Sequence, residues 1–209
     1  MNHLFHKTNN KLIVIFLAIF ITSNVNADEW SDSYRLETEG KFTAAASVIK
    51  PFTTQKPINE FALLRHGWLN YSARNYNDAI EDYQQALSLN PNSLDARLGL
   101  TLPLMAQGRW REAALHATKI LKIAPWQYHA HIRLMACEEA MTQWDTMAKH
   151  ATKVAERYPG DATIQVYLAR ASLSIGKPKI ALVAYRRVKQ MVPNHIESTR
   201  FLEVNDKKD

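Results

Sequence analysis

Apolar residues in this chain recur at steps of three and four. In "GRWREAALHATKILKIAP" (108–125) an amphipathic helix runs between a glycine and a proline. Phe61, Leu64, Trp68 and Tyr71 likewise share one helix face. Strict apolar–polar alternation is hard to find, and Ala, Leu, Arg, Lys, Gln and Glu dominate, all good helix formers. The pattern predicts an all-α protein. One segment departs from it. "LIVIFLAIFIT" (12–22) is an unbroken apolar run. Lys7 and Lys11 precede it, and "SNVNA" follows, with Val25 and Ala27 at the −3 and −1 positions of a signal peptidase site. A basic start, a short apolar run and a small-residue cleavage site make residues 1–27 a secretory signal, cut after Ala27. As a helix the run reaches only about 16 Å, roughly half of a bilayer core. A retained inner-membrane tether facing the periplasm is the alternative. No cysteine follows the run, which argues against a lipoprotein.

The amphipathic segments are periodic at a longer scale. Pro57, Pro91, Pro125, Pro159 and Pro193 are each 34 residues apart. A fixed period of this size means stacked supersecondary units. With each proline at position 32, repeats begin at Asn26, Glu60, Leu94, Tyr128 and Ala162. Position 15, the turn inside a repeat, is Gly40, Arg74, Gly108, Thr142 and Gly176. Glycine suits it because a helix C-cap takes a positive φ. Position 17 is Phe42, Tyr76, Trp110, Trp144 and Pro178. Position 8 is Ser33, Gly67, Thr101, Met135 and Ala169, and position 20 is Ala45, Ala79, Ala113, Met147 and Ala181. Small residues at both places let two helix axes approach. The paired methionines of the fourth repeat predict a wider, softer contact there, and its turn lacks glycine, so this repeat is expected to be the weak joint.

These prolines, small residues and position-17 aromatics resemble the tetratricopeptide repeat (TPR) family, most closely in "NYNDAIEDYQQALSLNP" (75–91). The resemblance covers about 28–193 and implies a TPR solenoid, antiparallel helix pairs stacked in a right-handed superhelix. The domain reading is a signal peptide (1–27), a degenerate first repeat (28–59), repeats at 60–93, 94–127, 128–161 and 162–194, and a capping helix with tail (195–209). Two prolines strain the pattern. Pro51 should stop the second helix of the first repeat near Lys50, and Pro103 should kink the first helix of the third and free the Gly99 carbonyl. Asn194 and Glu197 form a capping-box pattern ahead of a final helix at about 195–205.

The resemblance also implies where a ligand sits, on a concave face lined by first helices at positions 2, 5, 6, 9 and 12. Here those positions hold Trp30 and Tyr34, then Phe61, Leu64, Arg65, Trp68 and Tyr71, then Leu98, Leu102 and Met105. The fourth repeat adds His129, Ile132, Arg133 and Glu139, and the fifth Val166, Tyr167, Arg170 and Leu173. The chosen partner-binding set is Tyr34, Phe61, Leu64, Arg65, Trp68, Tyr71, Leu98, Leu102, Arg133, Tyr167 and Arg170. Tyr, Trp and Arg are the types that anchor interfaces. The competing reading is ordinary packing between neighbouring repeats, since an apolar helix stripe is usually core. Some TPR co-chaperones hold an acidic C-terminal carboxylate with a Lys/Asn clamp at positions 5 and 9. Here those pairs are Leu64/Trp68, Leu98/Leu102, Ile132/Ala136 and Val166/Arg170, so the clamp is absent. A ligand is expected to bind by apolar contact, with arginines fixing its orientation through carboxylates or carbonyls.

Composition changes little. Without Lys7 and Lys11, 24 basic and 20 acidic residues leave a net charge of +4, too mild to argue for nucleic acid. Cys137 is the single cysteine, so no intramolecular disulfide forms, and its position predicts a buried structural thiol. An intermolecular bridge through it stays open. His129 and His131 point apart on a helix, and His116 and His150 are read as solvent-facing. No catalytic, cofactor or metal constellation stands out. The basic stretch "KPKIALVAYRRVK" (177–189) reads as a solvated convex face, with acidic lipid or an acidic partner as the alternative. The expected function is a non-catalytic scaffold or adaptor, holding a protein or peptide segment and serving a periplasmic envelope assembly such as pilus, secretion or cell-wall machinery. The alternative is a small-molecule or metal-binding accessory of an exported enzyme system.

Overall fold

The computed structural model describes residues 28–205, and the signal and tether readings lie outside them. The described residues are helical throughout, without strands, in two compact bodies that divide after Leu89. The first body holds α1 (28–38), α2 (Phe42–Thr54), α3 (Glu60–Ser72) and α4 (Tyr76–Leu89). The second holds α5 (Leu94–Ala106), α6 (Trp110–Ile123), α7 (Tyr128–Ala140), α8 (Trp144–Arg157), α9 (Ala162–Ser174), α10 (Pro178–Met191) and α11 (Ile196–Asn205). First helices from the second repeat onward open at position 1 and second helices at position 17.

The repeat is written in caps as well as in prolines. Asn59, Ser93, Gln127, Asp161 and His195 all fall at position 34. Each accepts a hydrogen bond from a backbone N–H in the first turn of the helix it precedes. These bonds satisfy donors that a helix start leaves orphaned. The cap of α11 is therefore His195, whose Nδ1 accepts from Ser198, and not the expected Asn194. A second device sits at position 4. Arg97, His131 and Gln165 bond the carbonyls of Pro91, Pro125 and Pro159, fastening each first helix to the turn before it.

Positions 8 and 20 are buried as their sizes require. Ser33 and Ala45 are fully buried, and the Ser33 hydroxyl donates to the Ala45 carbonyl across the contact at 3.2 Å. A Cβ added at Gly67 would meet the Tyr83 ring at 3.1 Å. Ile49, Phe52, Ala62 and Leu69 complete the core of the first body, with Trp30, Leu36 and Phe42 packed against it.

The expectation at Pro51 needs correction. Helix α2 continues past Pro51 to Thr54. Pro51 and Ser47 face solvent, so water serves the carbonyl that the proline leaves free, while burial of Ile49 and Phe52 holds the turns on either side. Helix α5 likewise runs unbroken through a buried Pro103 to Ala106.

The fourth repeat is the loose one. Met135 and Met147 are both fully buried, and α7 packs on α8 far less closely than α3 on α4, α5 on α6 or α9 on α10. Its turn residue Thr142 has φ of 55°, where Gly40, Gly108 and Gly176 adopt 71–73°. A β-branched residue is strained in that region. Thr142→Gly should therefore stabilise the protein by about 1 kcal/mol. Urea unfolding measures this, and an unchanged midpoint would mean that the turn stores no strain.

Candidate partner-binding face

In the first body, α1 and α3 lie side by side and present an aromatic surface. The Trp30 ring stacks on Phe61 at 5.2 Å, and Trp68 tilts against Tyr71 at 5.9 Å. Tyr34, Phe61 and Trp68 remain 46%, 54% and 41% exposed, while Leu64 and Tyr71 are half-buried. The surface is braced from beneath by Glu37. One carboxylate oxygen accepts from the Trp68 indole N–H at 2.6 Å, and the other from Arg65 at 2.7 Å. Arg65 is itself buried. It also donates to the Ser33 hydroxyl at 3.0 Å, and its guanidinium lies 3.6 Å from the centre of the Tyr34 ring. Burial pushes the Glu37 carboxyl up, but the bonds from Trp68 and Arg65 prevail and hold it below its ordinary value.

The first-helix face of the second body is more closed. Leu98, Leu102 and Tyr167 are half-buried. Arg133 on α7 bonds the Leu98 carbonyl and, at 2.7 Å, the Thr101 hydroxyl of α5. Arg170 on α9 reaches Glu139 of α7 at 3.2 Å and Glu197 of α11 at 2.6 Å.

Contrary to expectation, none of the three arginines stands free to orient a ligand. Each braces its own helix to neighbouring first helices within its body. The sequence carried a signal for this, because Glu37 and Glu139 both occupy position 12 and face an arginine one repeat later. What solvent meets on the first body is the aromatic rings, with the arginine charge sealed beneath them.

The remaining chemistry is structural. Cys137 is fully buried, and burial pushes its thiol up to about 11, which keeps it protonated and out of reach of a second chain. His116 and His150 do not face solvent. His116 is half-buried, and burial with nearby Arg97 and Lys119 holds it below the usual histidine value. His150 is mostly buried between α7 and α8, bonded to His131 and Glu138. Tyr128 donates to Asp161 at 2.8 Å, and burial together with that bond pushes its phenol to about 12. Among the described residues no group of three His, Cys, Asp or Glu is arranged to hold a metal.

Residues 64–126 match the tetratricopeptide repeat family model. No curated protein sequence matches the chain. Solved structures do. MamA from Desulfovibrio magneticus RS-1 (residues 41 to the end) is 16% identical with a TM-score of 0.72, over 80% of this chain and 95% of that one. A second MamA structure is 17% identical with a TM-score of 0.70, over 88% of this chain and 94% of that one. YrrB, a TPR protein with an unusual peptide-binding site, is 14% identical with a TM-score of 0.70, over 84% of this chain and 90% of that one. At these identities the likeness is one of fold. Residues 64–126 are thus similar to tetratricopeptide repeats, and the described helices share the helix-pair solenoid fold of these structures.

Proposed function

We propose that this protein is a non-catalytic scaffold whose aromatic face on α1 and α3 holds a segment of a protein partner. The observation that carries this reading is the set of three exposed rings, Tyr34, Phe61 and Trp68, on the adjoining helices α1 and α3. Exposed aromatics on a rigid support are the usual anchors of an interface, because they bury much area while losing few rotamers. The peptide-binding site of YrrB supports the same use of the fold. Leu64 and Tyr71 flank the anchors, while Leu98, Leu102 and Tyr167 offer a shallower apolar surface in the second body. Arg65, Arg133 and Arg170 serve by holding these surfaces in place.

A pull-down from envelope extract with wild type and with Phe61→Ala/Trp68→Ala tests the reading. The double variant should lose its partner by about a hundredfold, as expected for two anchor residues. Equal retention of the same partner by both proteins would rule out the aromatic face as the binding surface.

The export signal supports a periplasmic location, with the scaffold serving an envelope assembly there. The mature N-terminus checks this. Asp28 is the expected first residue, and Met1 would point to the inner-membrane tether.

A further inference from the structure

A continuous chain of hydrogen bonds joins α7 to α8 in the loose fourth repeat. His131 Nε2 lies 3.0 Å from the Pro125 carbonyl, and His131 Nδ1 lies 2.9 Å from His150 Nε2. His150 Nδ1 in turn lies 2.9 Å from a Glu138 carboxylate oxygen. All three side chains are largely buried. A carbonyl only accepts, so His131 Nε2 carries the hydrogen that faces Pro125. The lowered value of His131 favours its neutral form, which has one hydrogen, so His131 Nδ1 is then a lone pair and accepts from His150 Nε2. One further hydrogen lies between His150 Nδ1 and Glu138. Every bond in the chain is then made, and the place left for another proton is His131 Nδ1. A proton there would set two N–H groups face to face at 2.9 Å.

We propose that this chain is an acid-sensitive latch, in which protonation of His131 breaks the His131–His150 bond and loosens α7 from α8. The setting suits such a device. These two helices pack less closely than the other pairs, and the turn between them is the strained Thr142. From α8, His150 and Lys153 face His131, and Glu138 faces it from α7 itself. The Trp126 ring, 5.9 Å away, lies on the preceding turn. Among the described residues no group on α5, α6 or α9 is bonded to any of the three.

Burial is the largest influence on His131 and holds it below the usual value. His150 and Lys153 act the same way, while the Pro125 bond and Glu138 oppose them. With the folded value lowered, the opened state takes the proton more readily. The latch is therefore fully closed above about pH 6.5, the ordinary histidine value, and weakens as pH falls toward the lowered one. Opening would also disturb Arg133 and Glu139, which tie α7 to α5 and α9.

The fifth repeat supplies a control variant. Gln165, also at position 4, makes the equivalent bond to the Pro159 carbonyl without titrating. Hydrogen exchange of the full chain, corrected for intrinsic rates, should be compared at about pH 7.5 and about pH 5.5 in wild type and His131→Gln. Wild-type α7 and α8 should lose protection by about tenfold relative to α9 and α10 at the lower pH, and His131→Gln should show no such loss. Equal wild-type protection at both pH values, or the same loss in the variant, would overturn the proposal. If His131→Gln fails to fold, nitrogen NMR of wild type decides. His131 as the Nε2–H tautomer, protonating together with the exchange change, supports the latch, and the Nδ1–H tautomer refutes it.

Discussion

Arg65→Ala is expected to destabilise the first body by about 3 kcal/mol, the low end of the range for breaking a buried ion pair. The guanidinium is buried, and its removal leaves the Glu37 carboxylate with the Trp68 indole as its remaining strong donor. The Ser33 hydroxyl loses a donor, and Tyr34 loses the cation stacked on its ring. Glu37 is 24% exposed at its side chain, so water recovers part of the loss. The double variant Arg65→Met/Glu37→Gln should cost much less, because removing both partners leaves no unpaired charge. Because the folded Glu37 value is depressed, its contribution is complete above the unfolded value of about 4.3 and is lost as pH falls below it. Urea unfolding of the two variants measures the effect. A single-variant loss below about 1 kcal/mol would show that the pair is not a brace.

Glu197→Ala should cost about 2 kcal/mol and release α11. Glu197 accepts three bonds from Arg170, the nearest at 2.6 Å, and one from the hydroxyl of Tyr185, a ring that is 1% exposed. Without it the Tyr185 hydroxyl is buried and unpaired, and α11 loses its polar tie to α9, keeping the Lys189–Thr199 bond to α10. Burial and the Glu197 bond already hold that phenol above its ordinary value. Glu197→Gln keeps an acceptor for Tyr185 and should cost about half as much. The Arg170 bond outweighs burial, which pushes the other way, and holds the Glu197 carboxyl below its ordinary value. Its stabilisation is therefore also complete above about pH 4.3 and lost in more acid solution. Amide exchange should show residues 196–205 losing protection first in Glu197→Ala, and unchanged exchange there would contradict this role.

The architecture was legible because one proline per repeat fixed the register, and small residues at positions 8 and 20 marked the helix contacts. Paired methionines and a missing glycine also pointed to the loose fourth repeat. The polar fastenings were harder to read. Asn59, Ser93, Gln127, Asp161 and His195 share a capping role at position 34 but no chemical class, so no single residue type announces it. Asn194 and Glu197 matched a capping box by spacing alone, one residue out of register with the other caps. Glu197 was instead drawn to Arg170, a residue 27 positions earlier. Pro51 looked like a helix stop because propensity is local, whereas burial of Ile49 and Phe52 is not. The arginines belonged to interface chemistry by type, and only their burial and their partners revealed them as braces. His150 looked solvated because its partner His131 lies 19 residues away on another helix.

The central claim is that a partner seats on the rings of α1 and α3. Site-specific photocrosslinking in the intact protein, in its native cells, tests it most directly. A photoreactive side chain in place of Phe61, which is 54% exposed, should capture one discrete protein partner. The same group in place of Leu115, equally exposed on the second helix α6, should not. No crosslink from position 61, or the same product from both positions, would contradict the claim.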